Sequence, residues 1–165
     1  MRLLVIVAFC LVYWGICCLC TGTDEKNLAG LRSYPDDVQR RVREDSPLAG
    51  RAPKASPVWA ILLGNFALFT VVFGVLGFAL RGVLGLAGYW DAFWFFLALG
   101  EGLGAFDLVF IDLLWWRNTP RIRFSFIPQS EAYQNPRQHV LSFLRGIPLF
   151  AVVALADAAL IALAG

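Results

Sequence analysis

The stretch that decides the fold is residues 89–116, YWDAFWFFLALGEGLGAFDLVFIDLLWW. It is long and apolar enough to be a membrane-spanning helix, since a span needs about 20 mostly apolar residues. Beyond its first turns it carries three carboxylates, Glu101, Asp107 and Asp112. Ionisable residues are costly in hydrocarbon and usually face a bundle interior or a watery cavity. The stretch therefore predicts both a span and a candidate site.

Three more segments have the same character, at about 3–20, 58–80 and 140–164. Of the 165 residues, 59% are hydrophobic and 16% are charged, whereas soluble domains carry about 25% charged residues. The sequence predicts an all-α integral membrane protein with four transmembrane helices. We expect a single membrane domain over residues 1–165.

The first of these segments has a second interpretation, a cleaved signal peptide, because Arg2 gives it a basic start and its apolar stretch is short. No A-x-A cleavage site precedes the polar stretch TGTDEK at 21–26. We therefore expect the first span to be retained in the protein.

Basic residues predict the orientation. Of the 14 Lys and Arg residues, seven lie in 21–57 and five lie in 117–145. The two connecting loops, 21–57 and 117–139, follow spans one and three and so share a side. The positive-inside rule makes that side cytoplasmic. We expect both termini to face outward across the plasma (cytoplasmic) membrane.

The first loop contains PDDVQRRVRE at 35–44, which predicts a short amphipathic helix. Tyr34, Val38 and Val42 recur every four residues and give it a narrow apolar face. We expect this helix to lie on the membrane surface or to dock on the bundle. A solvated helical linker is the alternative.

The second loop contains RIRFSFI at 121–127, in which polar and apolar residues alternate with the period of a strand. Ile122, Phe124 and Phe126 fall on one face. An isolated strand has no sheet to join in a four-helix protein. We expect an extended segment whose aromatic side chains enter the membrane interface.

The acids of the third span do not share one face of an α-helix. At about 100° per residue, Glu101 and Asp112 point in nearly the same direction, and Asp107 points about 120° away from Glu101. Glu101 falls near the middle of the span, and Asp112 lies near its inner end beside Trp115 and Trp116. The three acids are therefore expected to have separate roles.

We expect an acidic cavity between spans two, three and four that binds a cation, a proton or a polar headgroup. The candidate ligand or proton-binding residues are Glu101, Asp107, Asp112, Asp157 and Asn65. The structural alternative is that each acid makes an ordinary contact, for example Asp112 with a loop arginine. A small transporter-like or accessory subunit is the function that we favour.

Two other functions stay open. The chain fits a membrane enzyme acting on a lipid or isoprenoid headgroup at the cytoplasmic face, with Asp112 as its acid–base or metal-binding group. Arginine guanidinium groups bind phosphate well, and the headgroup candidates are Arg117, Arg121, Arg123 and Arg145. The other function is a structural assembly factor of a membrane complex. Whether the chain is an enzyme is undecided, although we lean against it.

Composition also limits cofactors and partners. The net charge of +2 suggests no nucleic-acid partner, and a single histidine gives no haem or zinc ligand set. The four cysteines all lie in the first apolar segment, unlike a secreted disulfide framework. We expect no cofactor and no metal. Besides the lipid bilayer, we expect a homo-oligomer or a larger membrane-protein partner, because four helices make a thin bundle.

Overall fold

The structure, a computed structural model, describes residues 1–54 and 56–164. Most of these residues, 80%, are helical, and the described residues form no strand. Four of the helices that it describes are long and apolar enough to cross a membrane. They are α1 (Arg2–Leu19), α4 (Val58–Leu84), α5 (Tyr89–Phe106) with its continuation Asp107–Trp116, and α6 (Arg137–Leu163). The prediction of an all-helical protein with four helices of membrane-spanning length is confirmed.

The segments between the spans contain short helices. The first loop carries α2 (Asp24–Ala29) and α3 (Asp36–Glu44). Single turns of 3₁₀-helix lie at Leu31–Ser33, Ala49–Arg51, Pro120–Ile122 and Ser130–Tyr133. Much of the two loops is therefore folded.

Two span ends differ from their predicted positions for local reasons. α4 continues to Leu84 and stops at Gly85, which has a left-handed φ of 63° and bonds its N–H to the Arg81 carbonyl. α6 begins at Arg137, whose N–H bonds to the Asn135 side chain at 3.0 Å. Each of these two helices therefore ends or begins next to a residue type that suits that position.

The described residues divide into two compact units, the first containing 1–10, 56–105 and 144–164 and the second containing 11–54 and 106–143. The core of the first unit is rich in phenylalanine. Phe73 stacks on Phe96 and on Phe150, with ring centroids 6.4 and 6.2 Å apart, and Phe9 meets Phe73 edge to face. The prediction of one membrane domain is not tested by this division and stays a prediction.

Two glycines let helices of the first unit approach closely. A Cβ atom on Gly77 would lie 2.4 Å from Cζ of Phe96, and one on Gly100 would lie 2.7 Å from Cγ of Phe150. Real Cβ contacts are not this short, so no other residue fits without displacing a buried ring. Small residues serve this purpose at helix contacts in membranes.

The second unit has its own apolar core, built largely from the two loops. Val38 and Val42 of α3 are completely buried, and so are Ile122 and Phe124 of the other loop. The expectation that the aromatic side chains of 121–127 enter the membrane interface is wrong for Phe124, because it packs in this protein core. Phe126 is only partly buried against the same core.

Polar contacts also tie the two loops of the second unit together. The Tyr34 hydroxyl is buried and donates to the Ile122 carbonyl at 2.8 Å. Asp24 accepts from the backbone and side chain of Ser125 at 2.9 and 2.6 Å. Burial, and then the neighbouring Tyr133 and Asp24, raise the pKa of Tyr34, so its hydroxyl stays a donor at neutral pH.

Replacing Tyr34 by phenylalanine tests this link. We expect the free energy of unfolding to fall by about 1–2 kcal/mol, because the buried Ile122 carbonyl loses its donor. Unfolding of the detergent-solubilised protein by increasing SDS measures the change. Tyr89→Phe is the control, since the Tyr89 hydroxyl makes no hydrogen bond among residues 1–54 and 56–164. Equal losses in both variants would contradict the role of Tyr34.

Candidate functional site

The third span changes its helix type where the acids lie. After α5, residues Asp107–Trp116 form a π-helix, in which each N–H bonds to the carbonyl five residues earlier. Residues five apart therefore come onto nearly the same face, whereas in an α-helix they diverge. Asp107 and Asp112 are five apart, so this backbone turns them toward a more similar direction than an α-helix would. The directions expected for these two acids assumed α-helical geometry and therefore change.

Asp112 forms a pair with the only histidine of the chain. Its carboxylate lies 2.9 Å from Nδ1 of His139, with side-chain exposures of 14% and 4%. The Trp116 ring packs edge to face against the imidazole, 4.7 Å between centroids. Asp112 and Trp116 come from the π-helix and His139 from the start of α6, so the site is built where these two elements of the second unit meet.

The imidazole has one nitrogen engaged and one free. A carboxylate at Nδ1 accepts a hydrogen bond, so the neutral ring carries its proton on Nδ1. Nε2 of His139 is buried and has no hydrogen-bond partner among the residues that the structure describes. In this tautomer Nε2 is an acceptor with an unshared lone pair. A buried polar atom without a partner requires an explanation in function or in bound water.

Two further polar side chains come from α1. Tyr13 and Cys17 both lie within range of electrostatic interaction with the carboxyl groups of Asp107 and Asp112. We use the name dyad cluster for Tyr13, Cys17, Asp107, Asp112 and His139. It contains a base, two carboxyl groups, a hydroxyl and a thiol, which are all groups that can exchange or relay protons. In the described part of the chain, no group of three or more His, Cys, Asp or Glu is arranged to hold a metal ion.

The other predicted ligand residues belong to the first unit. Asp157 is completely buried, and neither carboxyl oxygen has a hydrogen-bond partner among the described residues. A Cβ atom on Gly74 would lie 3.2 Å from its Oδ1. Glu101 and Asn65 are partly exposed and make no side-chain hydrogen bond within 1–54 and 56–164. Within that unit these three side chains share no hydrogen bond.

The predicted headgroup arginines of the second unit donate to separate partners. Arg117 donates to the Gln134 side chain at 3.2 Å. Arg121 donates to the Cys18 carbonyl at 2.9 Å, and Arg123 to the Pro128 carbonyl at 3.5 Å. Arg145, in the first unit, makes no ion pair within the part of the chain that the structure describes. The side chain that lies next to the Asp112 carboxylate is the His139 imidazole, not one of these arginines.

No known family model, curated protein or solved structure matches this chain. Its function is therefore inferred from the residues themselves.

Sequence reasoning named Asp107 and Asp112 but did not pair them with His139, and it did not include Tyr13 or Cys17. One signal was available for the histidine: it is the single imidazole of the chain and stands at the start of a span. For Tyr13 and Cys17 the signal was their spacing of four, which places them on one face of α1. Nothing in the sequence alone shows which helix that face contacts.

Proposed function

We propose that this chain is a small polytopic membrane protein, a transporter-like or accessory subunit, in which Asp107, Asp112 and His139 bind and release a proton. The observation that carries the proposal is the buried Asp112–His139 pair with a free Nε2. A proton arriving at Nε2 gives an imidazolium whose charge the Asp112 carboxylate stabilises. Asp107 follows from the same proposal as a second carboxyl group on the π-helix, five residues before Asp112.

The π-helix supports this function. Such segments are rare and occur frequently at functional sites, because the wider turn moves side chains into positions that an α-helix cannot provide. Here it places Asp107 beside Asp112. The same ten residues in α-helical form would point the two acids in different directions. The acidic cavity between spans two, three and four that we predict from the sequence remains part of the proposal.

The membrane setting belongs to the same proposal. Both termini face outward, the two loops are cytoplasmic, and the protein lies in the plasma membrane, as the distribution of Lys and Arg favours. In this arrangement α3 is an amphipathic helix of the cytoplasmic face, with Val38 and Val42 buried and Arg40 and Arg41 exposed. A homo-oligomer or a larger membrane partner is expected. The side chain of Glu101 is partly exposed on a span, and a second protein surface would shield it from the hydrocarbon of the bilayer.

The single histidine makes a direct test possible. In protein labelled with ¹⁵N-histidine and reconstituted in lipid nanodiscs, every ring signal belongs to His139. We expect the neutral ring to carry its proton on Nδ1, because the Asp112 carboxylate lies 2.9 Å from that nitrogen. Asp112→Asn is expected to lose the preference for the Nδ1–H tautomer, since the carboxylate that fixes it is gone.

Asp37→Asn is the control, because Asp37 is an exposed aspartate far along the chain from the dyad cluster. It is expected to leave the ring signals unchanged. An Nε2–H tautomer in the wild-type protein would mean that Asp112 does not accept from Nδ1, and it would refute the proposal.

A membrane enzyme acting on a lipid or isoprenoid headgroup is the second candidate. One observation favours it: a histidine oriented by a carboxylate, with its other nitrogen free, is also the arrangement of a general base. Incubation of the reconstituted protein with labelled phospholipid or isoprenyl diphosphate tests it. Turnover that His139→Asn abolishes would favour the enzyme. Proton uptake without turnover would favour the transporter-like or accessory function.

A further inference from the structure

A groove runs along the outside of the second half of α1. It has a volume of about 620 Å³ and is formed by Val12, Gly15, Ile16, Cys18, Leu19 and Arg121. All six residues belong to the second unit. Five of them are apolar or weakly polar residues of a membrane-spanning helix, and the sixth is a positive charge at one end. The groove is therefore apolar along its length and basic at its end.

Gly15 is one of the residues that line this groove. A Cβ atom added there would meet nothing within 4 Å. The glycine is thus not required by packing inside the protein, and it leaves free space on the helix surface. Val12, Ile16 and Leu19 around it are at least half exposed.

Arg121 is held at the end of the groove by the protein itself. Its Nη2 donates to the Cys18 and Thr21 carbonyls at 2.9 and 3.2 Å, at the end of α1. These bonds fix the guanidinium in place and leave its remaining N–H groups free to donate. The head of the arginine is therefore positioned in advance rather than mobile.

Among residues 1–54 and 56–164, no carboxylate lies within ion-pair distance of Arg121. Each ion pair described for the chain involves other residues. The two acids that follow α1 have other partners, since Asp24 accepts from Ser125 and Glu25 pairs with Arg51. A fixed, unpaired guanidinium at the end of an apolar helix is complementary to an anionic group joined to an apolar chain.

We propose that this groove is a binding site for one anionic phospholipid, with an acyl chain lying over Gly15 and the phosphate bound by Arg121. The apolar walls contact the acyl chain, and the guanidinium donates to the phosphate oxygens. The site is separate from the dyad cluster, and it does not depend on the proton-binding function. It explains both the open surface at Gly15 and the unpaired charge of Arg121.

Native mass spectrometry of the full-length protein tests the proposal. The protein is extracted from nanodiscs that contain equal amounts of phosphatidylglycerol and phosphatidylcholine, and the bound lipids are counted. We expect the wild type to keep one phosphatidylglycerol, about fivefold in excess over phosphatidylcholine, as one basic contact at a membrane surface provides. Arg121→Gln is expected to remove the preference, and Arg121→Lys to retain most of it.

Gly15→Phe tests the groove without touching the arginine. We expect it to displace the bound lipid of either headgroup, because the ring fills the free space. Gly64→Phe is the control for bulk, since a Cβ there also meets nothing within 4 Å. Arg32→Gln is the control for lost charge. Equal retention of the two lipids by the wild type, or one phosphatidylglycerol retained by Gly15→Phe, would overturn the proposal.

Discussion

Gly77→Val is expected to leave little folded protein. A Cβ atom at this position would lie 2.4 Å from Cζ and 3.0 Å from Cε1 of Phe96, whose side chain is completely buried. That ring stacks on Phe73, which is also completely buried, so moving it disturbs a second core ring. Overpacking a tight core costs about 1–3 kcal/mol and occasionally more, and we expect a loss of about 3 kcal/mol or more here.

Gly64→Val on the same helix is the matched control. A Cβ at Gly64 meets nothing within 4 Å, so the substitution changes helix propensity and side-chain volume without a collision. The measurement is the fraction of monodisperse protein in detergent after heating, together with unfolding in SDS. The double variant Gly77→Val/Phe96→Leu is expected to recover part of the loss because the colliding ring is removed. Equal behaviour of Gly77→Val and Gly64→Val would show that the close contact does not exist.

The spans could be predicted because their signal is local. Length and apolar composition suffice to identify a helix that can cross a membrane, and no knowledge of neighbours is needed. The end of α4 depends on Gly85 and the start of α6 on Asn135, which are also local features. The predicted and observed boundaries differ by a few residues where a capping residue, rather than the end of the apolar stretch, ends the helix.

The arrangement of the acids could not be predicted in the same way. The angle between Asp107 and Asp112 depends on the number of residues per turn, and the sequence analysis used the α-helical value. The change to i→i+5 hydrogen bonding over Asp107–Trp116 reverses the conclusion for this pair. Apolar residues dominate the segment in either form, so hydrophobic periodicity does not distinguish them. Glu101 belongs to the first unit, whereas Asp107 and Asp112 belong to the second, and its separate role stays a prediction.

The core formed by the loops depends on contacts that are distant along the chain. Alternation in 121–127 indicated that Ile122 and Phe124 share an environment, and both are completely buried. Both lie in one buried cluster with Val38 and Val42 of α3, about 80 residues earlier in the chain. Periodicity identifies a buried face but does not name its partner. The membrane interface was therefore a natural expectation and the wrong one for Phe124.

Asp112→Leu and His139→Phe are each expected to lower the free energy of unfolding by about 2–4 kcal/mol. The two side chains are largely buried and 2.9 Å apart, so removing either one leaves the other without its partner. His139→Phe retains an aromatic ring against Trp116, which limits the packing loss. The measurement is unfolding of the detergent-solubilised protein in SDS, followed by tryptophan fluorescence.

The double variant Asp112→Leu/His139→Phe separates a specific pair from two independent contacts. Replacing both partners of a buried polar pair by apolar groups costs much less than breaking it, so the two losses should fall short of additivity by about 2 kcal/mol. The exposed pair Asp37–Arg40 provides the control, with an expected coupling below about 0.5 kcal/mol. Additive losses of stability in the Asp112 and His139 variants would show that these two side chains do not form a pair. A strong coupling energy between Asp112 and His139 would show that apolar residues could replace this polar pair. Stability alone would then not explain why the protein has the pair.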